Sequence, residues 1–275
     1  MLETLVQRYE DECREGRLPR DGWEKRNVSF ALVIGKDGEL LQVISIRQEV
    51  LRGKKTVLRP QELLVPIGET RTVGIMPFFL CDNASYFLGA DTKGKPKRTA
   101  DCFAAAMKLH ENILADVASE TAEAVISFFR HWQAGEDAVR AHPVLASNAD
   151  EILAGANLVF RYEGRYAHED PEIRAAWERY RQKSDGEDLQ RCLVTGELAP
   201  VAVKHPALKG ISGAQPTGAM LISFNANAFE SYGHVDDQGR NAPVSKYAAF
   251  AYGTALNALI ADDAHKKMIG DTTVV

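Results

Sequence analysis

The chain has 275 residues, 45% apolar and 26% charged, and carries a net charge of −5 at neutral pH. That is material for one large domain or two smaller ones, in the composition range of soluble globular proteins. No segment approaches the roughly 20 apolar residues of a membrane span, and the first residues carry acids where a secretory leader needs cations. The four cysteines, Cys13, Cys81, Cys102 and Cys192, form no C-x-x-C pair. This argues for free, mostly buried thiols in a reducing, cytoplasmic setting and against a zinc site.

The charge is unevenly spread. Residues 47–98 hold ten Lys and Arg against five acids, a balance of +5, so the remainder of the chain carries −10. Such polarity allows local binding of a polyanion, with a solvated face lacking any partner as the alternative.

In chain order, Leu2, Leu5, Val6, Tyr9 and Cys13 recur at helical spacing and predict an amphipathic helix over 2–15. Two β-rich runs, VSFALVIG and ELLQVISI, flank Lys36-Asp37-Gly38 and predict a hairpin. A second hairpin is expected from IMPFFL and SYFLGAD, with Asp82-Asn83 in its turn. TKGKPKRT follows, with two breakers and four cations, and reads as an exposed basic loop. From Thr99 to about Arg140 the period turns helical, through Phe103, Met107, His110 and Leu114 and then Ala124, Val125, Phe128, Phe129 and Trp132. NLVFRY predicts a strand at 157–162, and 170–183 predicts a helix with Pro171 in its first turn.

The polar stretch KSDGED divides an N-terminal α+β region, 1–182, from a region at 183–275 with a Gly-rich loop, a strand and a helix. Both are also compatible with a single domain. CLVTGE and APVAV read as short strands, and Ser245 as the cap of a helix running through Ala261. Irregularly interleaved strands and helices give an α+β fold with hairpin-rich mixed sheets, interspersed helices and a helical C-terminal end.

The most unusual stretch is KGISGAQPTGAMLISFNANAFESYG, 209–233. Its Gly213–Gly218 spacing is that of a nucleotide-binding phosphate loop, but Ala219-Met220 stand where Lys and Ser/Thr are required, and Pro216 removes a donor. Gly210-Ile-Ser212-Gly-Ala214 approaches the nucleophile elbow of a serine hydrolase but lacks the final glycine. Asp236 and His265 are the downstream acid and base such an enzyme would use. His168-Glu169-Asp170 is the one tight cluster of metal-ligand types, and it abuts a helix start where acids are expected anyway. His205 is a lone histidine. No catalytic residue, metal ligand or cofactor is assigned, and the chain is read as a non-enzyme.

The same stretch reads as a binding surface. Lys204, His205 and Lys209 stand beside a turn of small residues, while Gln215, Asn225 and Asn227 carry amides suited to base edges. Phe224, Phe229 and Tyr232 either stack on bases or pack in a core.

CLVTGE (192–197), HPALKGISGAQPTGAMLISFNANAFESYG (205–233), NAPVSKYAAFAYGTALNALI (241–260) and GDTTVV (270–275) closely resemble the large-subunit family of type I-C CRISPR surveillance complexes, Cascade. The segments at 71–91 and 23–38 are similar to it as well. Members of that family continue past GDTTVV into a helical bundle, so the chain is expected to be an N-terminal fragment without the bundle.

The resemblance implies a subunit that reads a protospacer-adjacent motif in double-stranded DNA, assists its opening and recruits a helicase-nuclease. Implied partners are the target duplex, the guide-RNA-containing Cascade subunits and the helicase-nuclease, with a DNA-mimicking anti-CRISPR inhibitor also compatible and no membrane. On this reading phosphate contacts are expected at Lys93, Lys95, Lys97, Arg98 and Lys209. Base or groove contacts are expected at Ser212, Gln215, Asn225 and Asn227. The alternatives are a serine hydrolase or nucleotide-binding enzyme using the 209–218 loop, and a purely structural contact between subunits.

Overall fold

The computed structural model describes residues 1–53, 55–68, 71, 74–184, 189–215, 218–224, 239–270 and 272–275. Its helices are α1 (Leu2–Arg14), α2 (Ala84–Phe87), α3 (Pro96–Leu114), α4 (Glu120–His131), α5 (Glu136–Ala141), α6 (Ala149–Leu153), α7 (Pro171–Ser184) and α8 (Lys246–Ala261). The first nine strands are β1 (Trp23–Val28), β2 (Phe30–Ile34), β3 (Leu40–Ser45), β4 (Gln48–Arg52), β5 (Lys55–Arg59), β6 (Gln61–Pro66), β7 (Cys81–Asn83), β8 (Asn157–Tyr162) and β9 (Arg165–Tyr166). Then come β10 (Leu189–Arg191), β11 (Leu198–Pro200), β12 (Ala207–Leu208), β13 (Ala219–Met220), β14 (Lys267–Ile269) and β15 (Thr272–Val274). The architecture is α+β, with small sheets and interspersed helices. Two compact units emerge: Gly22–Arg181, and Met1–Asp21 together with Gln182–Val275.

In the 22–181 unit the sheet order is β3-β2-β8-β7, with β9 paired to β8. β2 and β8 run parallel, Phe30 opposite Leu158 and Leu32 opposite Phe160. Both strands are almost wholly apolar because both faces of the sheet are covered. Phe30, Leu32, Leu158 and Phe160 join the core under α3 and α4, while Ala31 and Val159 join a second cluster with Val28 and Val65 of the β1–β6 ladder. The pleat sends alternate residues to opposite faces, so one run of sequence feeds two cores.

The main core is aromatic. Phe87 stacks on Phe160 at 4.7 Å, and His110 lies 4.6 Å from Phe129. His110 is fully buried and satisfied at both ring nitrogens. Nε2 accepts the Leu80 N–H at 3.0 Å, which leaves Nδ1 to donate to the Ala106 carbonyl at 2.7 Å. That acceptor relieves an amide at Leu80, whose backbone is left-handed (φ +56°).

The Asp37-Gly38 hairpin forms as expected between β2 and β3. Gly38 has φ +81°, and an added Cβ would collide with the Phe128 backbone nitrogen of α4. Gly38→Ala is therefore expected to cost about 2–4 kcal/mol, from left-handed strain plus overpacking. Urea unfolding checks this; an unchanged midpoint would show that α4 does not seat on the turn.

Two local readings are corrected, and one is resolved in detail. The 75–91 stretch is not a hairpin: 75–80 is irregular, Cys81–Asn83 is a strand, and Asn83 caps α2 by accepting the Ser85 N–H at 3.0 Å. The stretch after Thr99 is helical as expected and divides into three helices, the second capped by Ser119, whose Oγ accepts the Ala122 N–H. CLVTGE is a turn rather than a strand, with the buried Cys192 Sγ accepting the Ser245 N–H at 3.2 Å and the Val194 N–H at 3.4 Å.

In the other unit α1 packs against α8. Tyr9 meets the Phe250 ring at 5.6 Å and the Tyr247 ring at 6.1 Å, and Tyr247 donates to Glu10. Ala248, Ala249, Ala251, Tyr252, Gly253 and Ala255 form the buried side of α8, which begins at the expected cap: Ser245 Oγ accepts the Ala248 N–H at 3.1 Å. The KSDGED connector lies largely outside the described residues.

Candidate nucleic-acid interface

Lys93, Lys95, Lys97 and Arg98 are all exposed and lie within one turn of chain. The segment is less of a loop than its composition implies. Asp91 closes a turn by accepting the Lys93 N–H at 2.9 Å, Lys95 is the N-cap residue, and Pro96 opens α3. Lys97 and Arg98 therefore sit in the first turn of a 19-residue helix that has no acid there. Four side-chain cations cluster around the partial positive charge of the helix N-terminus, with Asp91 before them and Asp101 one turn further along α3 as the nearest acids in the chain. Arg98 donates to the Gly74 carbonyl at 3.0 Å, which fixes it while leaving its side chain exposed.

The second candidate region is a hairpin. β12 and β13 pair antiparallel, Ala207 opposite Met220 and Leu208 opposite Ala219, so the Gly-rich stretch is the loop joining them. Asn257 of α8 clamps its base, accepting the Lys209 N–H at 2.9 Å and donating to the Ala207 carbonyl at 3.1 Å. Gly210 and Gly213 adopt φ of +77° and +76°, and the Gly218 N–H closes on the Gln215 carbonyl at 2.8 Å. Lys209, Ser212 and Gln215 are exposed on this loop. Asn225 and Asn227 lie outside the described residues, as do Pro216, Phe229, Tyr232 and Asp236. Phe224 lies beside His205, whose Nδ1 is 2.6 Å from the Tyr252 hydroxyl.

The hairpin bears on the enzyme-like readings. A nucleotide phosphate loop leads from a strand into a helix, whereas this one leads into β13. A nucleophile elbow needs the same strand-to-helix corner, and the proposed base His265 is held by Asp262 at 2.7 Å. Asp170 of the His168 cluster is a helix cap, accepting the Glu172 N–H at 2.9 Å and the Ile173 N–H at 3.1 Å. Among the described residues no group of three His, Cys, Asp or Glu is placed to hold a metal ion. None of their helices is long and apolar enough to cross a membrane.

The two candidate sets belong to different compact units, 93–98 to one and 209–215 to the other. Sequence reasoning missed the support beneath the first. The Arg71 guanidinium lies between the rings of Phe78 (3.6 Å) and Tyr86 (3.9 Å) and pairs with the fully buried Asp82. This holds the irregular 74–80 segment to which Arg98 is tied. The 71–91 block is conspicuous in the sequence, but no periodicity marks an arginine stacked across an irregular segment.

A family model described as CRISPR-associated protein (Cas_Csd1) matches residues 5–275. No curated protein matches the chain. With nearly every residue inside that match, the chain belongs to the CRISPR-associated Csd1 family.

Proposed function

We propose that this chain is the DNA-recognition part of the large subunit of a type I-C RNA-guided interference complex. It reads a protospacer-adjacent motif in duplex DNA, assists strand opening and helps recruit the helicase-nuclease. It performs no hydrolysis. The observation that carries this reading is the acid-free basic turn at the N-terminus of α3, on a protein whose overall charge is negative. A site of this kind attracts phosphates by charge and by backbone N–H groups, without selecting a sequence. Selection would come from amides on a surface that a groove can approach. Gln215 on the glycine-turned hairpin meets that description, with Lys209 and Ser212 beside it on the exposed loop. Asn225 and Asn227 are proposed for the same role from the sequence.

The test is duplex binding against salt. Each phosphate contact contributes about −0.9 to the slope of log K against log salt. Lys93→Ala/Lys95→Ala/Lys97→Ala should flatten that slope by up to about 2.7 and weaken binding to every sequence alike. An unchanged slope and affinity would overturn the assignment of the basic turn.

Gln215→Ala should behave differently. In the assembled complex it should erode the preference for the motif by about 1–3 kcal/mol while leaving random duplex nearly untouched. Equal losses on all sequences would move the hairpin from base reading to backbone or subunit contact.

A further inference from the structure

β4 and β5 pair with each other and with no other strand. Two residues separate β4 from β3, and Pro60 alone separates β5 from β6, so the ribbon is tightly tethered to the strands on either side. Five residues at about 3.4 Å each make it about 17 Å long. Its base is anchored: Ile46 donates its N–H to the Ser29 carbonyl at 3.0 Å, and Arg47 pairs with Glu151 and lies over the Phe30 ring at 4.8 Å.

The register sorts the ribbon into two unlike faces. Gln48 stands opposite Arg59, Val50 opposite Val57 and Arg52 opposite Lys55; the intervening pairs are Glu49–Leu58 and Leu51–Thr56. Because successive residues alternate across the pleat, Lys55 and Arg59 share one face, and the ribbon's single acid, Glu49, falls on the other. A ribbon of two strands paired with no third is marginal by itself. The neighbouring cations Lys25, Arg26, Arg47 and Arg71 are each committed to a carboxylate. Among the described residues Lys55 and Arg59 have no such partner, and both are exposed.

We propose that the β4–β5 ribbon is a second contact to duplex DNA, distinct from the basic turn at 93–98, with its Lys55/Arg59 face on the phosphate backbone along a groove. The inference rests on the DNA-binding reading above. A two-stranded ribbon fits the width of the major groove, and an acid-free cationic face suits the phosphates that line it. Lysines also protect exposed strand edges from pairing. Edge protection alone does not explain the exclusion of the acid from that face.

The experiment uses the full chain and a fluorescent duplex of random sequence, titrated between about 50 and 200 mM salt. Lys55→Ala/Arg59→Ala should flatten the salt slope by about 1.8, as the basic-turn triple variant does by up to about 2.7. Lys55→Arg/Arg59→Lys should keep the parental slope, which separates lost charge from a disturbed hairpin. Leu51→Ser/Leu58→Ser, on the opposite face, should also leave it unchanged.

If the basic-turn variant flattens the slope and the ribbon variant does not, the ribbon inference falls and the DNA reading stands. The ribbon cations then serve edge protection. If the ribbon variant flattens it and the basic-turn variant does not, the ribbon stands and the basic turn loses its assignment. If the parent chain shows no salt-dependent binding to duplex, both fall together.

Discussion

Replacing Asp82 with alanine is expected to remove about 3–5 kcal/mol of stability from the 22–181 unit, which corresponds to a melting temperature lower by about 10 °C. The carboxylate is completely buried. Its Oδ2 accepts the Phe78 N–H at 2.8 Å and the Arg71 guanidinium, and its Oδ1 accepts the Asn83 N–H at 2.8 Å. Deleting it orphans two amides and leaves a guanidinium wedged between two rings without its counter-charge. Arg71 also donates to the Met76 carbonyl at 2.7 Å, and the Tyr86 hydroxyl accepts the Met76 N–H at 3.2 Å. One side-chain cluster thus does for 74–80 what a strand ladder does elsewhere.

Burial pushes the Asp82 carboxyl above its ordinary range, against the opposing pull of Arg71 and the amides. A neutral side chain that keeps an acceptor is therefore tolerated better than deletion. Asparagine keeps one of the two acceptor oxygens but turns an NH2 toward the donors on the other side, so Asp82→Asn should cost less than Asp82→Ala in urea unfolding, though not be neutral. Equal costs would show that one retained acceptor gives the site nothing.

Acidification is the second large effect. Burial holds His110 and His168 neutral, each with its pKa pushed down to about 4 from 6.5, and Arg174 adds to the depression at His168. The unfolded chain takes up these protons first. The contribution of these two rings to stability should therefore be flat above about pH 7, fall as the pH drops through 6.5, and level off below about 4.

At pH 5 each histidine should cost about 2 kcal/mol, and by pH 4 approximately 3 kcal/mol. His168→Phe should remove its own share of this pH dependence, about 2 kcal/mol at pH 5. His168 is the better residue to replace, because its Nδ1 has no hydrogen-bond partner among the described residues, whereas His110 holds the Leu80 amide. A midpoint that does not move between pH 7.5 and pH 5 would show that neither ring is buried neutral.

Several elements were legible as local pattern. The helix at 2–15, the strand at 157–162, the Asp37-Gly38 hairpin and the Ser245 cap each depend on residues a few positions apart. The basic turn was legible for the same reason, since its four cations are nearly contiguous. The reading of 75–91 failed because an apolar run between turn residues looks the same whether a ladder or a buried carboxylate satisfies its backbone. The choice was made by Arg71 and Asp82, which no periodicity links.

The sequence by itself determined the α+β class, most helices, the cationic turn and, through its long unusual block, the family resemblance. Only the tertiary structure decided which segments meet. Glu10 and Tyr247, separated by 237 positions, come together because α1 and α8 bury complementary apolar sides. The pairing of Ala207–Leu208 with Ala219–Met220 turned a candidate phosphate loop into a hairpin, and the β4–β5 register put Lys55 and Arg59 on one face. Periodicity is a property of neighbours along the chain. Pairing is decided by the summed burial and hydrogen bonding of whole elements, which becomes readable once the chain has folded.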